Sequence, residues 1–110
     1  MIYTRFLCVC DGGNVRSHAM AVALKEKGHD AVAIGRFSSS PETMSMMCEW
    51  AEKVVIMEPH MKESIPEEFH NKLHIVDVGF DRYGVGINPE LRKQVEEGRF
   101  YMLQSMGIQT

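Results

Sequence analysis

CDGGNVRS, residues 10–17, separates a short β-branched and apolar run from an amphipathic one. The preceding run, Ile2–Val9, has the composition of a strand, and Gly12-Gly13-Asn14 supplies the residues of a tight turn. Beyond the stretch, residues recur at helical spacing until Gly28 ends the pattern: Met20, Ala23, Leu24 and Lys27. The sequence therefore predicts a strand, a tight turn and a helix in direct succession.

A loop of this kind is suited to binding an oxyanion. Its glycines let successive N–H groups converge on one point, and the helix that follows adds its positive end there. A thiolate among N–H donors, here Cys10, is stabilised and nucleophilic, while a guanidinium, here Arg16, can hold two phosphoryl oxygens. Ser17 can donate to the thiolate and help it leave. We predict a phosphate-binding loop whose other members are Gly12, Gly13, Asn14 and Val15.

The sequence resembles the low-molecular-weight protein tyrosine phosphatase family, in particular its short bacterial and phage-type members. Three segments carry the resemblance in family order: LCVC followed five residues later by RS, then SSSPETMSMMCEWAEKVVIMEPHM, then DVGFDRYGVGINPEL. The resemblance implies an α/β fold with a four-stranded parallel sheet flanked by helices. It also implies a cysteine nucleophile, a phosphate-binding arginine and an aspartic general acid on a late loop, which are Cys10, Arg16 and Asp81.

Strand and helix patterns alternate along the rest of the chain. Strands are predicted at Asp30–Phe37, Lys53–Met57 and Leu73–Val78, with helices after Ser40-Pro41 and Asn88-Pro89 and a short helix within His60–Asn71. This alternation predicts a parallel sheet whose strands all end at one edge, where ligands bind.

Three arginines fall in or beside the loops at that edge: Arg16, Arg36 and Arg82. One interpretation is that they form a positive rim suited to a phosphorylated substrate. The alternative is that Arg36 and Arg82 are ordinary solvated loop residues. Two features depart from the family pattern. Gly12-Gly13 replaces a Gly-Asn pair whose asparagine braces the loop, and Asp11 repels a phosphate dianion unless it points outward or pairs with Arg36 or Arg82.

Two residues of the late loop complete the predicted site. An acid at Asp81 would protonate the leaving oxygen and then, as a base, activate water against the phosphocysteine. Asp77 is the competing carboxylate, but its place in the predicted fourth strand favours a structural role. Tyr83 aligns with an aromatic wall of the family's substrate cleft and can stack on an aryl phosphate. Phe37 and Phe80 are lesser candidates.

Composition and cysteine usage limit the possible partners. The 110 residues suffice for one modest core, so residues 1–110 are predicted to form a single domain. A net charge of −3 argues against nucleic acid or an anionic membrane as the main partner. Three cysteines suggest no disulfide framework, and Cys8 is interpreted as a buried hydrophobe. No signal peptide is recognised and the five histidines lack metal-ligand spacing, so we expect a cytoplasmic protein without metal or other cofactor.

The expected function is a phosphomonoesterase that acts on phosphotyrosine or an aryl phosphate, in a protein or a small molecule, through a phosphocysteine. A phosphoryl carrier and a phospho-ligand-binding module without turnover are the alternatives on the same fold. Arsenate reduction ranks lower because only Cys48 follows the loop. The sequence does not indicate the physiological substrate or the oligomeric state.

Overall fold

Strand β1 (Arg5–Cys10) runs through the middle of the sheet in the computed structural model, which describes residues 3–84 and 88–110. The sheet is parallel throughout, with the strand order β2-β1-β3-β4. The other strands are β2 (Asp30–Gly35), β3 (Lys53–Ile56) and β4 (Leu73–Ile75). The helices are α1 (Arg16–Lys25), α2 (Pro41–Trp50) and α3 (Pro89–Ser105), with 3₁₀-helices at Pro59–Ser64 and Glu67–Lys72.

The predicted four-stranded parallel sheet is confirmed, although its strands are shorter than predicted. Strand β2 ends at Gly35, where the chain turns, although the Arg36 N–H still donates to the carbonyl of Cys10 at 2.8 Å. Strand β4 ends at Ile75 because its neighbour β3 ends at Ile56. The stretch predicted to hold one short helix contains two 3₁₀-helices. Ile2, at the start of the predicted first strand, lies outside the described residues.

Strand β1 is apolar because both faces of the sheet are covered. Phe6, Leu7, Cys8 and Val9 are fully buried although successive side chains point to opposite faces. Burial raises the pKa of the Cys8 thiol, and it raises that of Cys48 to about 11. These two thiols are therefore poor nucleophiles, and Cys8 is the buried hydrophobe that the sequence predicts.

Two of the α-helices begin at the predicted capping residues. The Ser40 hydroxyl accepts the N–H of Thr43 at 3.1 Å, and the Asn88 side chain accepts the N–H groups of Glu90 and Leu91. Helix α1 differs, because its N-cap residue Val15 supplies no side-chain acceptor. The first N–H groups of α1 consequently have no side-chain cap. Among the helices that the structure describes, none is both long and apolar enough to cross a bilayer.

His29 makes the stability of the fold depend on pH. Its ring is 7% exposed, and Nδ1 accepts the N–H of Thr4 at 3.0 Å. Burial lowers the pKa of His29, so the unfolded chain takes up a proton more readily than the folded one. The contribution of His29 to the free energy of unfolding should therefore be greatest above a pH of about 6.5 and should decrease as the pH drops below that value.

We expect His29→Asn, which keeps an acceptor without a titrating ring, to lose less thermal stability than the wild type between pH 7.5 and 5.5. Circular dichroism melts of the two proteins measure this difference. His74, whose pKa is also lowered by burial and by Lys53, is present in both and does not affect the comparison. Equal losses in the two proteins would contradict the role of His29.

Candidate active site

The loop between β1 and α1 surrounds the sulfur of Cys10. The N–H of Gly13 donates to Sγ at 3.2 Å, and the Ser17 hydroxyl lies 3.0 Å from it. Cys10 is 2% exposed and Ser17 is fully buried, so little water competes for these contacts. An N–H donor and a hydroxyl therefore converge on the sulfur at the uncapped end of α1, where the helix dipole also favours an anion.

Backbone contact with the end of β2 holds the loop in shape. Gly13 has a φ of +80°, and a Cβ there would lie 2.5 Å from the Gly35 nitrogen. A Cβ on Gly35 would in turn lie 2.5 Å from the carbonyl carbon of Gly12. Asn14 is exposed, and its side chain makes no hydrogen bond within residues 3–84 and 88–110. Backbone packing between glycines, and not the Asn14 side chain, therefore holds the loop in shape.

Arg16 has a buried guanidinium that reaches three loops. Its side chain is 1% exposed. Nη1 donates to the Glu58 carboxylate and to the carbonyl of Gly79 at 2.8 Å, while Nη2 donates to Asp11 at 3.2 Å. Nε is buried and has no partner among the described residues. The guanidinium is therefore fixed in place but keeps N–H capacity for an anion.

The charge state of Arg16 is secured by its neighbours. Burial acts to lower the pKa of the guanidinium, but the hydrogen bond and charge of Glu58 outweigh it, with further contributions from Cys10 and Asp11. The pKa is raised as a result. Glu58 is a site residue that the sequence analysis did not single out. Its signal was an acidic residue directly after the predicted third strand, Lys53–Met57, which ends at the same sheet edge as Cys10.

Asp11 lies between two arginines. Its carboxylate accepts from Arg36 Nε at 2.7 Å and from Arg16 Nη2 at 3.2 Å. Burial acts to raise the pKa of Asp11, but the hydrogen bonds and charges of the two arginines lower it further than burial raises it. Pairing with Arg36 is one of the arrangements that the sequence analysis allows for this carboxylate. Arg82 pairs instead with Glu90 at 2.9 Å.

The three arginines predicted at the edge of the sheet are all paired with acidic residues. Arg36 also reaches Glu63 at 3.5 Å, and the side chain of that glutamate is 76% exposed. Arg36 is a site residue, since its side chain is 9% exposed and braces the loop, whereas Arg82 is solvated.

Asp81 is not brought into contact with Cys10. The residue is exposed, and it makes no hydrogen bond or ion pair with any other residue that the structure describes. Its loop nevertheless begins at the site, because the Gly79 carbonyl binds Arg16. Asp77 lies beyond β4, and its carboxylate accepts the N–H of Gly79 at 2.9 Å. That contact fits the structural interpretation of Asp77, while the catalytic role of Asp81 stays a prediction.

Tyr83 is part of the core and does not face an open cleft. It is 6% exposed, and its hydroxyl donates to the Val78 carbonyl at 2.6 Å and accepts from Gln94 at 3.1 Å. These contacts give no support to stacking on a substrate, which stays a prediction. The exposed aromatic side chains of the neighbouring loops are Phe37 and Phe80.

The sheet order, the flanking helices and the cysteine loop after β1 define the fold of the low-molecular-weight protein tyrosine phosphatases, as the resemblance in sequence implies. The chain is similar to Wzb from Vibrio vulnificus in complex with benzylphosphonate, with a TM-score of 0.73, 16% identity and coverage of 94% of this chain and 99% of that one. It is also similar to the YwlE arginine phosphatase from Geobacillus stearothermophilus, with a TM-score of 0.68, 20% identity and coverage of 94% and 93%.

A low-molecular-weight protein tyrosine phosphatase from Bacillus subtilis is a third similar structure, with a TM-score of 0.64, 17% identity and coverage of 92% of this chain and 97% of that one. No protein-family model matches the sequence, and a search of curated proteins gives no match. At these identities the comparisons establish the fold.

Gly13 and Gly12 form a matched pair for testing how the loop is held. Gly13→Ala places a Cβ against β2 at a positive φ, so we expect the free energy of unfolding to fall by about 2 kcal/mol or more. A Cβ on Gly12 meets nothing within 4 Å, and Gly12→Ala should change stability by no more than about 1 kcal/mol. Urea unfolding measures both values. Similar losses in the two variants would contradict the glycine packing described above.

Proposed function

We propose that this protein is a cysteine-dependent phosphomonoesterase that hydrolyses phosphotyrosine or an aryl phosphate through a phosphocysteine intermediate. The observation that carries the proposal is that one site combines a sulfur that accepts a backbone hydrogen bond with a buried guanidinium. Cys10 Sγ accepts the Gly13 N–H, and Arg16 Nε lies buried without a partner among the described residues. An oxyanion bound in this loop would satisfy that N–H group.

In the first step the Cys10 thiolate attacks phosphorus. A sulfur–phosphorus bond forms as the bond to the leaving oxygen breaks, and Asp81 supplies the proton that the leaving oxygen needs. Arg16 and the loop N–H groups stabilise the charge on the phosphoryl oxygens that do not leave. The exposure of Asp81 suits a group that exchanges protons with solvent between steps.

In the second step water attacks the phosphocysteine. The Asp81 carboxylate accepts a proton from the water, an oxygen–phosphorus bond forms, and the sulfur–phosphorus bond breaks. The Ser17 hydroxyl, whose oxygen lies 3.0 Å from Sγ, donates a hydrogen bond to the departing Cys10 thiolate and keeps its proton. Inorganic phosphate leaves, and the site returns to its starting state.

The proposed substrate is a phosphorylated protein or a small aryl phosphate. Benzylphosphonate, the compound bound in the similar Wzb structure, carries an aromatic ring next to a phosphoryl group. It supports an aryl phosphate as the class of substrate. We propose a cytoplasmic location because all three cysteines are free and a reducing compartment keeps cysteines in that state.

Hydrolysis of p-nitrophenyl phosphate between pH 5 and 8 tests the proposal. Cys10→Ser should abolish activity because the nucleophile is lost. Asp81→Asn should lower kcat by about 10²- to 10⁴-fold, the usual contribution of a general acid and base. Asp30→Asn is the matched control, since Asp30 is an exposed aspartate at the opposite edge of the sheet. Phosphoarginine is assayed in parallel because one similar structure is an arginine phosphatase.

Retained activity in Cys10→Ser would contradict the phosphocysteine mechanism. An inactive parent protein that still binds phosphate would indicate the binding module without turnover. A phosphocysteine that passes its phosphoryl group to a sugar but not to water would indicate the carrier.

A further inference from the structure

Asp11 places a carboxylate on the same arginine that a phosphoryl group needs. Its Oδ2 atom accepts from Arg16 Nη2 at 3.2 Å. Carboxylates and phosphoryl groups both bind guanidinium edges through paired N–H groups, so the two anions compete for Arg16. A site with this carboxylate therefore needs a means of keeping it from closing onto the arginine.

Arg36 meets this requirement. Its Nε donates to Asp11 Oδ1 at 2.7 Å, a shorter contact than the one between Asp11 and Arg16. Arg36 is itself held, because Nη1 donates to the Ser64 hydroxyl at 3.1 Å and its backbone N–H donates to the Cys10 carbonyl at 2.8 Å. The Phe37 N–H also donates to the Asp11 carbonyl, at 3.2 Å.

We propose that Arg36 is a positioning residue that holds one oxygen of the Asp11 carboxylate, limits the contact of Asp11 with Arg16 to Nη2, and so keeps Nε of Arg16 open for the phosphoryl group. The inference rests on the proposed function of the loop as a phosphate site. Without Arg36, both carboxylate oxygens of Asp11 are free to turn to Arg16, whose buried Nε has no partner within the described ranges. The carboxylate then occupies the place of the phosphate.

This role differs from simple stiffening of the loop. If Arg36 only stiffened the loop, removal of Asp11 as well would leave the loop equally loose and phosphate binding equally weak. If Arg36 restrains a competing anion, removal of Asp11 eliminates the competitor and restores binding. The two roles therefore predict opposite results for the double variant.

The experiment titrates inorganic phosphate into wild type, R36Q, D11N and D11N/R36Q by isothermal calorimetry. We expect R36Q to weaken the Kd for phosphate by at least about tenfold, because an unrestrained carboxylate competes for the site. D11N/R36Q should return to within about threefold of the wild type. R5Q is the matched control: it removes an exposed arginine–glutamate pair at the far end of β1 and should leave the Kd unchanged.

Steady-state kinetics test the positioning role of Arg36 independently. R36Q should raise KM for p-nitrophenyl phosphate more than it lowers kcat, because the loss is in anion binding. Should R36Q fail to fold, R36K provides the same comparison. Lysine keeps the charge but cannot hold Asp11 and Ser64 together, so R36K should weaken phosphate binding by less and D11N should again restore it.

An unchanged Kd in R36Q, or a double variant that binds as weakly as R36Q, would overturn the positioning role. Neither result would affect the proposed phosphatase. Conversely, a wild-type protein that binds phosphate with these dependences but hydrolyses nothing would contradict the enzyme and leave the role of Arg36 supported.

Discussion

The Arg16 guanidinium is 1% exposed, and a charge buried this deeply is stable only when it is paired. Its partners come from three loops: Asp11 from the loop after β1, Glu58 after β3 and the Gly79 carbonyl after β4. Removing one partner of such a buried pair costs on the order of 3–5 kcal/mol. Satisfying this one group therefore fixes the relative positions of the loops that form the site.

The same pairing determines how the site can attract a substrate. Arg16 and Arg36 are shared among Asp11, Glu58 and Glu63, so the arginines at the site are locally neutralised. Long-range attraction of a phosphate dianion is weak under these conditions. Binding must then depend on short-range donors, which are the loop N–H groups and the unpartnered Nε of Arg16. Under the proposed function, such a site would select its ligand by the geometry of the oxyanion.

The local parts of the fold and of the site could be predicted from the sequence because each depends on neighbouring residues. The turn at Gly12-Gly13, the sulfur of Cys10 beside Ser17, and the caps at Ser40 and Asn88 all follow from spacing within one segment. The family resemblance added the order of elements, and the fold confirms it. Strand ends were less predictable because they depend on where the neighbouring strand stops.

Long-range features could not be predicted in the same way. The pairing of Glu58 with Arg16 joins a residue of the loop after β3 to the first residue of α1, and no local pattern specifies it. Burial of Tyr83 depends on the Val78 carbonyl and on Gln94 of α3, which its alignment with an aromatic wall residue of the family does not reveal. The packing of Gly13 on Gly35 likewise appears only when the loop meets the end of β2.

Trapping the covalent intermediate is the most direct test of the account. Asp81→Asn is incubated with p-nitrophenyl phosphate, quenched rapidly and analysed by intact-protein and peptide mass spectrometry. The account predicts one added phosphoryl group, located on Cys10 and absent from Cys10→Ser. Hydrolysis by the parent protein with no phosphoryl group on Cys10 in the slowed variant, or with the group on another residue, would contradict it.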